Sequence, residues 1–335
     1  MRQPLYRLLC LLLIFCLSAC QASGSVSQPA KVMSAVQSSV DLSRLPVGDG
    51  KLSSSAVRGS VFSCNTRFGN PPGGMAGGAM ASGAWLHSDG SFDYKAKPTV
   101  DGEVVWPHNF KLEQSGDQRI VTSNDLPDHA TGNYPIAASD DAYSFDRNPN
   151  AIKSQALRIE LPLNPSLAAG ASCLPMGAIG VLLSGSVFFN ALDGGGRDAV
   201  AHEIQDRCQG HPERSGTYHY HNLSSCIADS GSGHSALLGY AFDGFGIYGH
   251  RGENGKQLSN ADLDECHGHT HAVMWEGKLT EIYHYHATWE YPYTLGCFRG
   301  TPAKITGQQP VGPPPGGGPP PGPPPGFLPG PPGGL

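Results

Sequence analysis

The sequence predicts a mainly β fold: a single disulfide-stapled domain containing an internal duplication. Three observations lead there. Glycine (45) and proline (29) are abundant among the 335 residues, and apolar residues at helical spacing are scarce, as in a loop-rich β protein. Short alternating or β-branched runs recur between turn signals. The tetrapeptide Tyr218-His219-Tyr220-His221 returns as Tyr283-His284-Tyr285-His286 with matching flanks.

Taken in order, the chain opens with Arg2 and Arg7 before an apolar run, Leu8 to Leu17, and then Leu17-Ser18-Ala19-Cys20. A basic start, an apolar stretch too short to span a bilayer and small residues before a cut make a signal peptide, expected at 1–19. Its last four residues resemble a bacterial lipobox. That resemblance implies cleavage before Cys20, lipidation of Cys20 and a membrane partner through the lipid. Gln21 then points to the outer membrane if the cell is Gram-negative. Residues 20–58, rich in Ser, Val and Ala, read as a flexible tether.

The globular part is expected at 59–307. Val61 to Cys64 reads as a strand, followed by a Gly/Pro-rich loop at 69–78. Ala84 to His87 runs into a turn at Ser88-Asp89-Gly90. Glu103 to Trp106 reads as a strand stopped by Pro107. Arg119 to Ser123 is β-rich, and 124–150 is loop. Leu157, Ile159 and Leu161 alternate with Arg158 and Glu160, the pattern of a half-buried strand. The repeats follow at about 177–226 and 236–297. Two copies are too few for a solenoid. They suit a pseudo-twofold within one domain. Residues 308–335 are almost wholly Pro and Gly and are expected to be disordered.

The formal net charge is -6, and losing Arg2 and Arg7 with the signal peptide makes the chain more acidic. Phosphate binding needs a basic face, so nucleic acid is excluded as a partner. A protein partner cannot be named from the sequence.

The paired Tyr-His-Tyr-His motifs, Asp125-Leu126-Pro127-Asp128-His129, Asp146-Arg147-Asn148-Pro149-Asn150 and Leu238-Gly239-Tyr240-Ala241-Phe242-Asp243-Gly244 together resemble the YHYH-domain proteins, over roughly 60–300. The resemblance implies no particular activity, so the residues carry the chemistry.

An exported domain sits where disulfides persist. Each copy contains Asp-x-Cys-x-Gly-His, at Asp206 and Asp264, and a further cysteine after the histidine motif. Equivalent cysteines should make equivalent bonds, within each repeat or across the two. Pairing Cys208 with Cys226 and Cys266 with Cys297 brackets each motif, and Cys64–Cys173 remains. Thiolate metal ligation is the alternative. No Cys-x-x-Cys supports it.

Fourteen histidines are the anomaly of the composition. On a strand, residues two apart share a face, about 7 Å apart at Cβ. His219 and His221 therefore point one way, as do His284 and His286, with the tyrosines opposite. His211 and His269 follow the repeat cysteines and supply a third imidazole to each copy. Three imidazoles suit copper or zinc. The alternative is an ordinary amphipathic strand with its histidines in water. His202 and Glu203 have no counterpart in the second copy, which has Asn260-Ala261 there. They are candidates for added ligands or an acid/base pair, or for the wet face of a short helix over 199–204. His267 and His271 occur in the second copy alone.

These readings favour an exported, lipid-anchored protein with a histidine-rich, copper- or zinc-binding β domain in a carrier or sequestering role. A metal-dependent hydrolase acting outside the cell and a metal-free adhesion domain are the alternatives. A shell made wholly of protein atoms favours carriage, and an open position beside Glu203 or Asp206 favours catalysis. No serine elbow, P-loop, dinucleotide fingerprint or His-Glu-x-x-His occurs.

Overall fold

Strand accounts for 31% and helix for 6% of the computed structural model, so the mainly β expectation holds. The structure describes residues 40–68, 83–229 and 232–303, all within the unit Ser38–Leu335; the unit Met1–Gln37 lies outside them. The signal peptide, Cys20, the first part of the tether, the loop at 69–78 and the tail at 308–335 also lie outside. Among the described residues, no helix is long and apolar enough to cross a membrane.

Order begins earlier than the tether expectation allowed. Strand β1 (Leu45–Pro46) pairs with β4 (Ser91–Phe92), and β2 (Leu52–Ser53) pairs with β3 (Val61–Phe62). Leu45 is buried in the core, and the Gly48 amide donates to Asp198 at 2.8 Å. Two-residue strands leave no period in a sequence, so a segment without long apolar runs resembled a linker.

Three strands form an antiparallel sheet: β5 (Phe110–Ser115), β6 (Gln118–Ser123) and β7 (Leu157–Pro162), with β6 central. Leu157, Ile159 and Leu161 are buried and the residues between them exposed, as the alternation predicts. The strand expected at Glu103–Trp106 is reduced to a single bridge, Val104 to Thr131. Arg119 of β6 ties this sheet to the rest. Its guanidinium meets Glu276 at 2.5 Å and lies over the Tyr240 ring at 4.1 Å, with the side chain 1% exposed.

The larger sheet has eight strands. They are β8 (Ala178–Leu182), β9 (Val187–Phe189), β10 (Gly210–Pro212), β11 (Tyr218–Tyr220), β12 (Leu237–Ala241), β13 (Gly246–Tyr248), β14 (Gly268–Trp275) and β15 (Lys278–His286). Their order is β10-β11-β9-β8-β12-β13-β15-β14. Replacing each strand by its counterpart in the other copy reverses that order into itself. The registers agree as well. Phe188 faces Tyr220 as Ile247 faces Tyr285, and His211 faces His219 as His269 faces His284. Antiparallel pairing of β8 with β12 sets Val181 opposite Tyr240, which are equivalent positions. A twofold there runs normal to the sheet, so equivalent side chains emerge on one face.

The Asp-x-Cys-x-Gly flank has a local physical basis. Asp206 accepts from the amides of Cys208 (2.9 Å) and Gly210 (3.2 Å) and from the Tyr218 hydroxyl. Asp264 does the same for Cys266 (2.9 Å), Gly268 (3.0 Å) and Tyr283 (3.0 Å). A Cβ on Gly210 would stand 2.2 Å from the Tyr218 ring, and one on Gly268 2.4 Å from the Tyr283 hydroxyl, so only glycine admits the tyrosine. Cysteines are joined as Cys64–Cys173, Cys208–Cys226 and Cys266–Cys297.

Candidate metal centres

The six histidines singled out in the sequence gather in two clusters, three to each. In the first, His219 and His221 project from β11 and its end, and His211 from β10. All three are buried, and their ligand atoms lie within 4.8 Å of one another. The second cluster holds His269, His284 and His286, joined by His234 and His271.

The rings are oriented by the backbone, and in the same way in both copies. Nδ1 of His219 meets the Thr217 carbonyl at 3.2 Å, and Nδ1 of His284 meets the Ile282 carbonyl at 2.9 Å, each two residues back. Nδ1 of His221 meets the Asn190 carbonyl at 2.6 Å, and that of His286 the Gly249 carbonyl at 2.7 Å. A carbonyl only accepts, so each Nδ1 carries the proton. In a neutral ring Nε2 is then a bare lone pair, the state a metal needs.

Nε2 of His211, His234, His284 and His286 is buried without a hydrogen-bond partner among the described residues. His219 and His221 set their Nε2 atoms 3.2 Å apart, and His269 and His271 set theirs 2.9 Å apart. Two acceptors at such distances repel unless a cation lies between them. An unsatisfied buried polar atom costs about 1–3 kcal/mol, and several converging on one point form an arrangement that could hold a metal ion.

Electrostatics favour the neutral ligand form. Burial pushes His219 and His286 well below the ordinary histidine value and His284 down to about 3. His269 falls to about 4, through burial and then its neighbour His271. His211 differs: burial lowers it, but Glu203 outweighs this and the net shift is upward. Burial would raise Glu203, yet His211 and His221 hold it well below the usual carboxylate range.

His202 and Glu203 do not act as a pair. His202 closes the short helix α1 (Ala199–His202), whose N-terminus is capped by Asp198, and Glu203 follows it. His202 turns to Asp49, 2.9 Å away, while Glu203 turns into the first cluster. Its Oε2 lies 3.3 Å from His211 Nε2 and 3.1 Å from His221 Nε2. The acid/base candidate is thus corrected: the two side chains diverge because the helix ends between them. Asp206 lies against the tyrosines, bonded to Tyr218, and offers no open position at a cluster.

Sequence reasoning missed His234. It stands before β12, outside either motif, and only the folded chain brings it to the second cluster. His271 was visible as unmatched and sits two residues beyond His269 on β14, on the same face. His267 is structural, with Nδ1 on the His286 carbonyl at 2.8 Å and Nε2 on Asn260 at 2.7 Å. His129, Cys208 and Cys226 also lie together. Both sulfurs are spent on the disulfide, and His129 meets the Tyr220 hydroxyl at 2.8 Å.

A family model described as YHYH protein matches residues 158–260. The match holds the first Tyr-His-Tyr-His motif, Glu203, His211 and His234, and stops before the second motif. No curated protein and no solved structure matches the chain. The motif resemblance therefore holds over the matched span, where residues 158–260 are similar to the YHYH proteins.

Proposed function

We propose that this protein binds copper or zinc at both histidine clusters, as an exported carrier or sequestering protein anchored to a membrane through lipid on Cys20. One observation carries the metal reading: buried Nε2 lone pairs converge in both copies while their Nδ1 protons are held by equivalent backbone carbonyls. Wet histidines on an ordinary strand would not be buried, and structural histidines would use both ring nitrogens, as His267 does. Carriage is favoured over hydrolysis because His211, His219 and His221 are 6%, 2% and 2% exposed, which leaves little room for a substrate. The anchor rests on the lipobox resemblance and places the protein at an outer membrane if the cell is Gram-negative.

The test is elemental analysis of tag-free protein after dialysis at neutral pH. Two ions per chain are expected. Replacing His219 and His221 together should remove one, and replacing His284 and His286 the other. Wild-type protein that takes up no copper, zinc, nickel or iron would end the metal reading. Cys20→Ser should release the protein from the membrane fraction; full retention would end the lipid reading.

A further inference from the structure

The two clusters differ in the side chain that completes them. Glu203 enters the first cluster, and its position corresponds to Ala261 in the second copy. His271 enters the second cluster, and its counterpart on the first hairpin is Glu213. That carboxylate instead accepts from the Ser215 amide at 2.8 Å and the Thr217 amide at 3.2 Å, closing a turn. The second cluster thus has five imidazoles and no carboxylate among its gathered ligand atoms.

The ligand atoms of His211, His219 and His221 lie within 4.8 Å of one another, and Glu203 approaches two of these histidines at separations that suit a shared ion. Nitrogen donors about 2.0–2.1 Å from a tetrahedral zinc stand about 3.3 Å from one another. The separations are 3.2 Å for His219–His221, 3.3 Å for His211–Glu203 and 3.1 Å for His221–Glu203. A plain ion pair would place a hydrogen along the Glu203–His211 contact. At 3.3 Å that contact is longer than the about 2.7–2.9 Å of a charge-assisted hydrogen bond. Glu203 is also held in place from behind. The buried Lys97 ammonium donates to its backbone carbonyl at 2.8 Å and to Gln205 at 2.7 Å.

The second cluster is more open. His284 and His286 are buried, but His234, His269 and His271 are each partly exposed. The cluster's closest nitrogens, on His269 and His271, are 2.9 Å apart, near the separation of about 2.9 Å for neighbouring donors at right angles in a tetragonal shell.

Resting on the metal-binding reading above, we propose that the clusters are two unlike centres. Glu203 is the fourth ligand of a closed centre with His211, His219 and His221 that retains zinc. The five-imidazole centre is open and exchanges copper(II). The carboxylate neutralises part of the charge of a buried ion, which slows release. A partly exposed centre with a spare imidazole can pass its ion on one ligand at a time.

The test loads the full chain with zinc and challenges it with copper(II) and then with a chelator, following metal content and the cupric spectrum over time. Wild type should keep one zinc at least about 100-fold longer than it keeps the exchanging ion. Glu203→Gln, which keeps size and removes charge, should speed loss of the retained zinc by about 10- to 100-fold and leave the cupric spectrum unchanged. His271→Ala should alter that spectrum and leave the retained zinc alone. Intact disulfides and unchanged circular dichroism show that the variants fold. If Glu203→Gln does not fold, biphasic wild-type release together with a spectrum altered by His271→Ala supports the assignment. Two ions leaving wild type at one rate, or a Glu203→Gln protein that keeps its zinc as firmly, overturns it. Wild type without any metal overturns the binding reading itself.

Discussion

At the scale of the residue, each position of the Tyr-His-Tyr-His motif has its own task. The first tyrosine satisfies the aspartate that folds the cysteine turn. The second donates to Asp243 at 2.6 Å in one copy and meets His129 and Ser184 in the other. The histidines take the opposite face. Tyr218→Phe and Tyr283→Phe should therefore each lower stability by about 1–2 kcal/mol in denaturant unfolding, with metal content unchanged. A metal loss in either would mean that the two faces are coupled. His250 gives the pH dependence. Its ring stacks on Trp289 at 4.5 Å, near Asp229, Arg251 and His267, and burial lowers it to about 4. The unfolded value is about 6.5. Between these values the unfolded chain binds a proton that the folded one refuses, so stability present above pH 6.5 is lost toward pH 4. In metal-free protein, His250→Phe should lessen the loss between pH 7 and pH 5 by about 1 kcal/mol, a figure discounted because the residue is not fully buried. An unchanged slope would contradict the assignment. His219 with His221 and His284 with His286 were legible because strand alternation forces i and i+2 together, and His211 and His269 because each follows the cysteine turn of its repeat. His234 and the divergence of His202 from Glu203 were not, because both depend on where a loop and a one-turn helix end.

At the scale of the element, the histidine hairpins are braced by their disulfides. Cys208 and Cys226 are 18 residues apart, and Cys266 and Cys297 are 31 apart. Opening the first by replacing both cysteines with alanine should cost about 3 kcal/mol in unfolding free energy. It should also weaken metal at the first cluster more than at the second, because Cys208 directly precedes the His211 strand. Equal weakening of both would argue against local bracing. The legibility of strands follows the same physics. Strand β7 was readable since its buried and exposed residues alternate. Strand β5 was not, because all but Phe110 are exposed and no face carries a pattern. The run Glu103–Trp106 looked like a strand by composition, but Val105 is 81% exposed, and burial selects strands more than propensity does.

At the scale of the whole molecule, strand order and pseudo-twofold place both clusters on one face of the eight-stranded sheet. Strands β11 and β15 are separated by β9, β8, β12 and β13. At about 4.8 Å per step, the motif strands stand about 24 Å apart. The copies therefore do not share one ion, an arrangement that repetition alone left open. The separation follows from pairing β8 with β12 at the centre and leaving each histidine hairpin at an edge. Neutral imidazole is needed for metal binding, so acid should strip both candidate centres. Protein so stripped and refilled with copper(II) at both clusters should give a copper–copper distance of about 20–25 Å by pulsed dipolar spectroscopy, allowing for sheet twist. His284→Ala with His286→Ala should abolish that coupling and leave the ion at the first cluster with an unchanged spectrum. A separation below about 10 Å would require the motif strands to lie side by side, which the observed strand order does not permit.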